Sequence, residues 1–549
     1  MVKYKFHLFV LLGLILLNLA FFAFNTRDFF VSDDFDWLNI AKNTQHSLTD
    51  YFSANYYGER GMGGSYRPLN NVVFWLNYKI GGLNPLPYHL TNLIFQIGVA
   101  FLVYLLVLAL FAEFVEKKKI AILSALFFSI LPNHSEAVVW IAAICDPLAA
   151  FFYLLAFYLY ILFRQQDKFL WLIFSVLSFV AALLTKEIAI TLPLLILVWE
   201  LYEALARNKF DWQNVILKPL GYWLILILYF IIRYLSIGLI FGYYAQEKFK
   251  IHLGLIFKMF ASLIVDLFFY GKMRVVLTDY FMANKLFFIF LLILILTLIW
   301  LALKSYKLKI PFLFDAYFIL ILPVLLLNLN NFTDEGERYN YLPSVVFCIL
   351  LSLLIWQIKK DKFLRNLVLA GILIYFASFL INKNENWHLA SQISQKAILN
   401  DFKQAVDLTK QNEKLLFVGM PDNFEGVPVL RNGIKEAINL FYPDFQFESL
   451  APNSYVRLTQ KNWDQKILNW EKYPKGGYLA QTVDGKFWVT GFDRRETDNY
   501  IFENWHYNYT NYTADTIRLI LKGDYAKSLA EGNLDILIFE QGQLKSLNK

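Results

Sequence analysis

Phe6-His7-Leu8-Phe9-Val10-Leu11-Leu12-Gly13-Leu14-Ile15-Leu16-Leu17-Asn18-Leu19-Ala20-Phe21-Phe22-Ala23-Phe24 decides the fold class. About twenty apolar residues in a helix match the hydrocarbon thickness of a bilayer, and this run has that length. Lys3 and Lys5 precede it and no clean small-x-small cleavage site follows, so an uncleaved anchor is expected rather than a removed signal peptide. Comparable runs recur near residues 90–112, 120–133, 146–163, 169–184, 188–206, 216–235, 284–303, 311–329, 341–358 and 366–382, which gives about eleven spans.

Composition points the same way. Of 549 residues, 58% are hydrophobic, 18% aromatic and only 17% charged, and mean hydropathy is +0.44. Soluble domains carry about a quarter charged residues. An α-helical polytopic membrane protein is therefore expected, with the lipid bilayer as its first partner. In such a chain the net charge of +7 is a topology signal and implies no nucleic acid. The two cysteines, Cys145 and Cys348, adjoin or lie in apolar segments and are too few for a disulfide framework.

Basic residues set orientation. Lys117-Lys118-Lys119, Arg164 with Lys168, Arg207 with Lys209, Lys304 with Lys307 and Lys309, and Lys359, Lys360, Lys362 and Arg365 fall in alternate loops on the side of Lys3 and Lys5. The N-terminus is thus expected in the cytoplasm of a multi-pass plasma-membrane protein. Residues 253–270 are apolar, but Lys258 and Asp266 interrupt them, and counting them as a span would reverse the lysines of 304–309. They read as an amphipathic helix in a long outer loop, 236–283. Residues 25–89 form the first outer loop, with an interfacial helix over Asn70–Ile80. Two domains follow: a membrane domain, 1–382, and a soluble extracytoplasmic α/β domain, 383–549. In the latter, Leu415–Val418 and Leu534–Phe539 read as strands, 388–412 as helical, and Tyr478–Phe492 as a hairpin turning at Asp484-Gly485.

Charge beside hydrocarbon is expensive and usually functional. Val31-Ser32-Asp33-Asp34-Phe35-Asp36-Trp37 holds three carboxylates about ten residues beyond the anchor. Asp36 reads as dipole complementation at a helix start, which leaves Asp33 and Asp34. Other polar groups gather at junctions on the same face: Arg67, His134, Glu136, Asp146, Lys186, Glu187, Glu337, Arg338 and Tyr339. Such a set suits sugar transfer from a polyprenyl phosphate to a hydroxyl. A carboxylate takes the acceptor's proton, the transition state resembles an oxocarbenium ion, and fixed cations stabilise the departing phosphate. No Walker-type phosphate loop is present, in keeping with a lipid-linked rather than a nucleotide donor.

Several blocks carry a resemblance. Asp33-Asp34 is followed by Ser65-Tyr66-Arg67-Pro68-Leu69, Leu76-Asn77-Tyr78, Gly82-Leu83-Asn84-Pro85 and Tyr88-His89-Leu90. Asn133-His134-Ser135-Glu136-Ala137-Val138, Thr185-Lys186-Glu187, and Glu337-Arg338-Tyr339 with Tyr341-Leu342-Pro343-Ser344 come next, in order. In this order the chain resembles the GT-C membrane glycosyltransferases, in particular the transmembrane-and-tetratricopeptide protein O-mannosyltransferases. The resemblance implies a GT-C-like bundle and an inverting transfer of a mannose-like sugar, with the first-loop aspartate (Asp34, or Asp33) as base. It also implies Arg67, Lys186, Arg338 and Tyr339 as phosphate or sugar contacts, with His134, Glu136, Asp146, Glu187 and Glu337 in support. Some GT-C members use a divalent metal, for which Asp33, Glu136 and His134 are the candidates here; no other cofactor is implied. The chain departs from the pattern at Ala143-Ile144-Cys145-Asp146, where the family often has an arginine, and it shows no 34-residue repeat. The acceptor is expected to be a protein hydroxyl, with a lipid or cell-wall polysaccharide as the alternative. The rival from another class is a transporter or sensor with an ectodomain, although no repeat relates the two halves.

Overall fold

The computed structural model describes residues 2–43, 48–53, 65–207, 211–240, 253–325, 336–359, 361–410, 413–450, 455–466, 468–473, 477–483, 487–488, 494–505 and 513–547. The chain divides into two compact units, one of residues 1–27 with 43–384, the other of residues 28–42 with 385–549. The second boundary lies inside the helix Lys362–Lys396. Residues 28–42, expected in the first outer loop of the membrane domain, group instead with the C-terminal chain.

The first unit is helical. Among the described residues, seven helices are long and apolar enough to cross a membrane: Lys5–Arg27, Leu86–Leu110, Ile141–Gln166, Glu187–Ala206, Val215–Ile237, Lys285–Tyr306 and Lys362–Ala405. Lys117–Ile130 and Pro132–Val139, bent by 55°, make an eighth if they are taken as one span. The bend falls where Pro132 removes a backbone donor and cannot continue the preceding helix. Phe169–Leu183 and Ser344–Gln357 are apolar but shorter, and Lys309–Leu325 carries Pro323 inside it. Each run singled out from the sequence is largely helical over its described residues, but breaks and short helices bring the number of described helices that pass on length and apolarity below eleven.

Polar contacts fix the ends of this bundle. The stretch expected as an amphipathic helix is helical over Leu253–Asp266, followed by Lys272–Ala283. Its interrupting acid, Asp266, is buried and accepts hydrogen bonds from Asn340 Nδ2 at 2.8 Å and Asn133 Nδ2 at 3.3 Å, with Arg274 Nη1 at 3.6 Å. A buried carboxylate needs such partners, so these contacts position the helix end beside the Glu337–Asn340 turn.

The second unit is α/β. Glu413–Val418 runs parallel to both Leu534–Glu540 and Phe447–Leu450, with Gln543–Ser546 antiparallel at the edge. Helix Ile434–Phe441 lies in the crossover between two of these parallel strands. Both central strands are almost wholly buried, as parallel strands covered on two faces usually are. Two five-stranded sheets complete the unit. The expected hairpin over Tyr478–Phe492 is not found among the described residues of that stretch. Gly477–Thr482 pairs with Leu468–Tyr473 and Thr516–Leu521, while Phe487–Trp488 belongs to another sheet, and Asp484 and Gly485 lie outside the described residues. Gly477 permits this pairing, because a Cβ there would stand 2.0 Å from the Leu519 carbonyl oxygen.

Candidate active site

Three segments of the helical unit converge on Cys145-Asp146, which opens the helix Cys145–Gln166. A carboxylate in a first helical turn complements the helix dipole, which suits Asp146 to that place. Arg67 precedes helix Pro68–Gly81, where Pro68 sets the first turn. Its Nη1 reaches Cys145 Sγ at 3.8 Å, while Nε and Nη2 donate to Glu187 Oε2 at 3.0 and 2.7 Å. Lys186, extended just ahead of the short helical turn Glu187–Thr191, pairs with Asp146. Arg338 comes from the turn Glu337–Asn340 and places Nε 4.0 Å from Asp146 Oδ2.

Carboxylates hold these cations in turn. Arg338 also pairs with Glu136, whose other oxygen accepts the Arg338 backbone N–H at 2.9 Å. Gly336, at φ +85°, donates its N–H to Glu136 Oε1 at 3.3 Å. That left-handed conformation suits glycine. The Arg338 guanidinium stands 4.8 Å from the Trp140 ring and 5.0 Å from the Tyr339 ring, and Lys186 Nζ stands 5.4 Å from the latter. Such stacking keeps a cation positioned while leaving hydrogen-bond donors available. Burial by itself would pull the Lys186 pKa down, but Asp146, helped by Cys145, outweighs it and holds the ammonium above the usual lysine range. The side chains of Arg67 and Arg338 are 22% exposed and that of Glu187 31%, so the network opens to its surroundings at its arginines and at the carboxylate that holds Arg67.

Most of the sequence-derived set is therefore brought together: Arg67, Glu136, Asp146, Lys186, Glu187, Arg338 and Tyr339. Two members in the same unit face elsewhere. Glu337 pairs with Lys383 at 2.5 Å. His134 is buried between the Phe128 and Tyr341 rings, at 4.3 and 4.6 Å, with Nε2 2.8 Å from Ser344 Oγ. Among the described residues, no three His, Cys, Asp or Glu side chains come together as a metal site, and the Glu136 carboxylate is taken up by Arg338. Arg233 went unread in the sequence. It lies in the helix Lys218–Ile237, is 1% exposed, and reaches Glu187 Oε1 and the Tyr229 hydroxyl, each at 3.3 Å. The signal was available, since an arginine inside an apolar run needs a buried partner.

The acidic stretch is organised within the second unit. Phe29, Phe30, Phe35 and Leu38 are buried, and the Phe29 ring stands 5.3 Å from that of Phe441. Ser32 N–H donates to the Val429 carbonyl at 2.8 Å, Ser394 Oγ to the Phe30 carbonyl at 2.7 Å, and His388 Nδ1 lies 2.6 Å from Asp28 Oδ1. Gly433, at φ +74°, allows the close approach, because a Cβ there would stand 2.6 Å from the Ser32 carbonyl oxygen. Asp34 is 1% exposed and accepts the Val31 N–H at 2.9 Å. Asp33 is half-buried and accepts from Asn432 Nδ2 at 2.8 Å and Ser32 Oγ at 3.3 Å. Asp36 shares the first turn of helix Asp34–Asn43 with Asp34.

No family model matches the chain. Among curated proteins it is 32% identical over 184 residues to the Homo sapiens protein O-mannosyl-transferase TMTC3, covering 32% of this chain and 20% of that protein. To the Drosophila melanogaster protein O-mannosyl-transferase Tmtc1 it is 33% identical over 154 residues, covering 28% and 17%. To the Homo sapiens protein O-mannosyl-transferase TMTC4 it is 29% identical over 214 residues, covering 35% and 28%. Solved structures that are similar include the Archaeoglobus fulgidus oligosaccharyltransferase crystallised with Zn and sulfate, at TM-score 0.45 and 12% identity over 80% of this chain and 62% of that one. ArnT from Cupriavidus metallidurans bound to undecaprenyl phosphate aligns at TM-score 0.46 and 14% identity, over 81% and 89%. The similarity to the TMTC protein O-mannosyl-transferases, the family its sequence blocks resemble, spans about a third of this chain and about a fifth of TMTC3.

Proposed function

We propose that this chain is an integral-membrane, inverting glycosyltransferase that moves a mannose-like sugar from a polyprenyl-phosphate donor to a hydroxyl outside the cytoplasm. The observation that carries the reading is the convergence of Arg67, Lys186 and Arg338 on Cys145-Asp146. Cations held by carboxylates and an aromatic ring need little reorganisation when negative charge develops near them. The acceptor oxygen forms its bond to the anomeric carbon as the bond from that carbon to the phosphate oxygen breaks. The electron pair leaves with the phosphate, whose charge Arg67, Lys186 and Arg338 stabilise. The acceptor's proton goes to a carboxylate of the Asp33-Asp34 pair. Asp33 is the more exposed of the two, and Asp34 also holds the Val31 amide.

The acceptor is a protein serine or threonine in this reading. The second unit is built of sheets rather than helical repeats, which favours keeping a lipid or polysaccharide hydroxyl as the alternative. Glycan mass spectrometry of a deletion strain separates them, since only one pool loses a sugar. The reaction itself is tested with purified protein and a polyprenyl-phosphate sugar. Asp33→Asn or Asp34→Asn is expected to lower transfer about 10²- to 10⁴-fold with the protein still folded. Full activity in both variants overturns the proposal.

A further inference from the structure

At the other end of the helix that leads toward Glu136, a cavity of about 230 Å³ lies between three helix ends. Lys119 lines it from the first turn of Lys117–Ile130, Trp356 from the last turn of Ser344–Gln357, and Arg365 from the first turn of Lys362–Lys396. Ile122, Ile355 and Leu369 form its apolar wall. The 14-residue helix Lys117–Ile130 separates it from the ion network by about 20 Å, at 1.5 Å per residue. It therefore lies at the far end of that helix from the candidate active site.

Lys119 Nζ and the Arg365 guanidinium each stand 4.6 Å from the Trp356 ring centroid. Twice that distance at most separates the two charges, close to one Debye length in physiological salt. Both occupy first helical turns, where the positive end of the dipole disfavours a cation. Among the described residues neither forms an ion pair. Cations that serve only to orient a membrane protein need to lie near the surface and remain hydrated. These two converge on an indole over a cavity with an apolar wall, an arrangement that gains most from a shared anion attached to hydrocarbon.

We propose that this cavity binds the headgroup phosphate of an anionic phospholipid from the leaflet on the side of Lys117–Lys119. Lys119 and Arg365 hold the phosphate, Trp356 packs against the glycerol region at the depth where interfacial tryptophans reside, and the first methylenes of an acyl chain lie along Ile122 and Leu369. The site is independent of the glycosyl-transfer reading.

The full-length chain in detergent, titrated with phosphatidylglycerol or phosphatidylcholine and read by native mass spectrometry, tests the idea. Wild type is expected to bind one phosphatidylglycerol more tightly than phosphatidylcholine. In the double variant Lys119→Gln/Arg365→Gln, phosphatidylglycerol affinity should fall about tenfold or more, with phosphatidylcholine unchanged. Lys119→Arg/Arg365→Lys, which keeps both charges, should retain most of the preference and shows whether the site tolerates substitution without loss of fold. Equal phosphatidylglycerol affinity in wild type and the folded glutamine variant overturns the proposal, as does equal wild-type affinity for the two lipids.

Discussion

The helical unit carries an ionic cluster toward each end, and the two are built on opposite plans. Around Asp146, near the start of Cys145–Gln166, cations from three segments converge and Arg67 and Arg338 remain partly exposed. Near the other end of the same helix, Arg164 donates to Glu200 at 2.5 and 3.1 Å, and Glu200 is 1% exposed. The Tyr160 hydroxyl donates to the same carboxylate at 2.7 Å, and Lys309 reaches Glu203 at 2.9 Å beneath the Trp199 ring. There the carboxylate is the hub and it is enclosed; around Asp146 the partly open side chains are Arg67, Arg338 and Glu187, the carboxylate that holds Arg67. An enclosed hub of carboxylate, guanidinium and phenol joins helices. Partly open cations are arranged to meet an anion.

Removing a cation from the open cluster gives the sharpest break. Arg338→Ala is expected to lower transfer from a polyprenyl-phosphate donor about 10²- to 10³-fold, the range for loss of one preorganised group that meets developing charge. Arg338→Lys keeps the charge but loses the planar fork, and it should recover only part of the activity. If Arg338→Ala keeps full activity, the open cluster is as structural as the enclosed one and the contrast collapses.

The enclosed cluster should respond the other way. Glu200→Gln leaves Arg164 beside a neutral amide and the Tyr160 hydroxyl with an uncharged acceptor, a change of the kind that costs about 3 kcal/mol when a buried pair is broken. A lower thermal-unfolding midpoint in detergent, with unchanged turnover per folded molecule and unchanged donor KM, is the expected result. A donor-dependent defect without destabilisation would move Glu200 out of the structural class.

This contrast was only partly legible in the sequence. Junction residues such as Glu136, Asp146, Lys186 and Arg338 stand out because charge at the end of an apolar run has few bland explanations. Arg233 carries no such signal, because it sits between Ile232 and Tyr234 inside a run and not at a junction. Nothing in the sequence marks Cys145 as part of the cluster, although its thiol lies between Arg67 and Asp146, 3.8 Å from each. The packing of residues 28–42 with chain beyond 385 left no periodic trace, because contacts between segments so far apart have no local pattern. Gly433 is the clearest hint, since the left-handed turn and the absent Cβ are what admit Ser32 and Phe35. The pairing of Gly477–Thr482 departs from the expected hairpin for a related reason. A turn signal is local, whereas Gly477–Thr482 is a central strand whose partners are chosen by burial on both sides.

Arg67→Lys probes the comparison most finely. The guanidinium reaches two partners at once, Glu187 through Nε and Nη2 and Cys145 through Nη1. A lysine at the same place is a single point charge with no fork, so it can keep the ion pair or approach Cys145 but cannot bridge them. Glu187 retains Arg233 at 3.3 Å, so its carboxylate is not left without a cation. Stability should therefore change little, within the range of a partly exposed pair, about 1 kcal/mol or less. Donor KM should rise about tenfold, because one hydrogen bond to a charged group is worth about 1.5 kcal/mol or more. A lower melting midpoint with unchanged KM would place Arg67 with the enclosed cluster, as a tie between helices. A raised KM at unchanged stability would show that a residue can be held by a salt bridge in the resting protein and still be positioned for the donor.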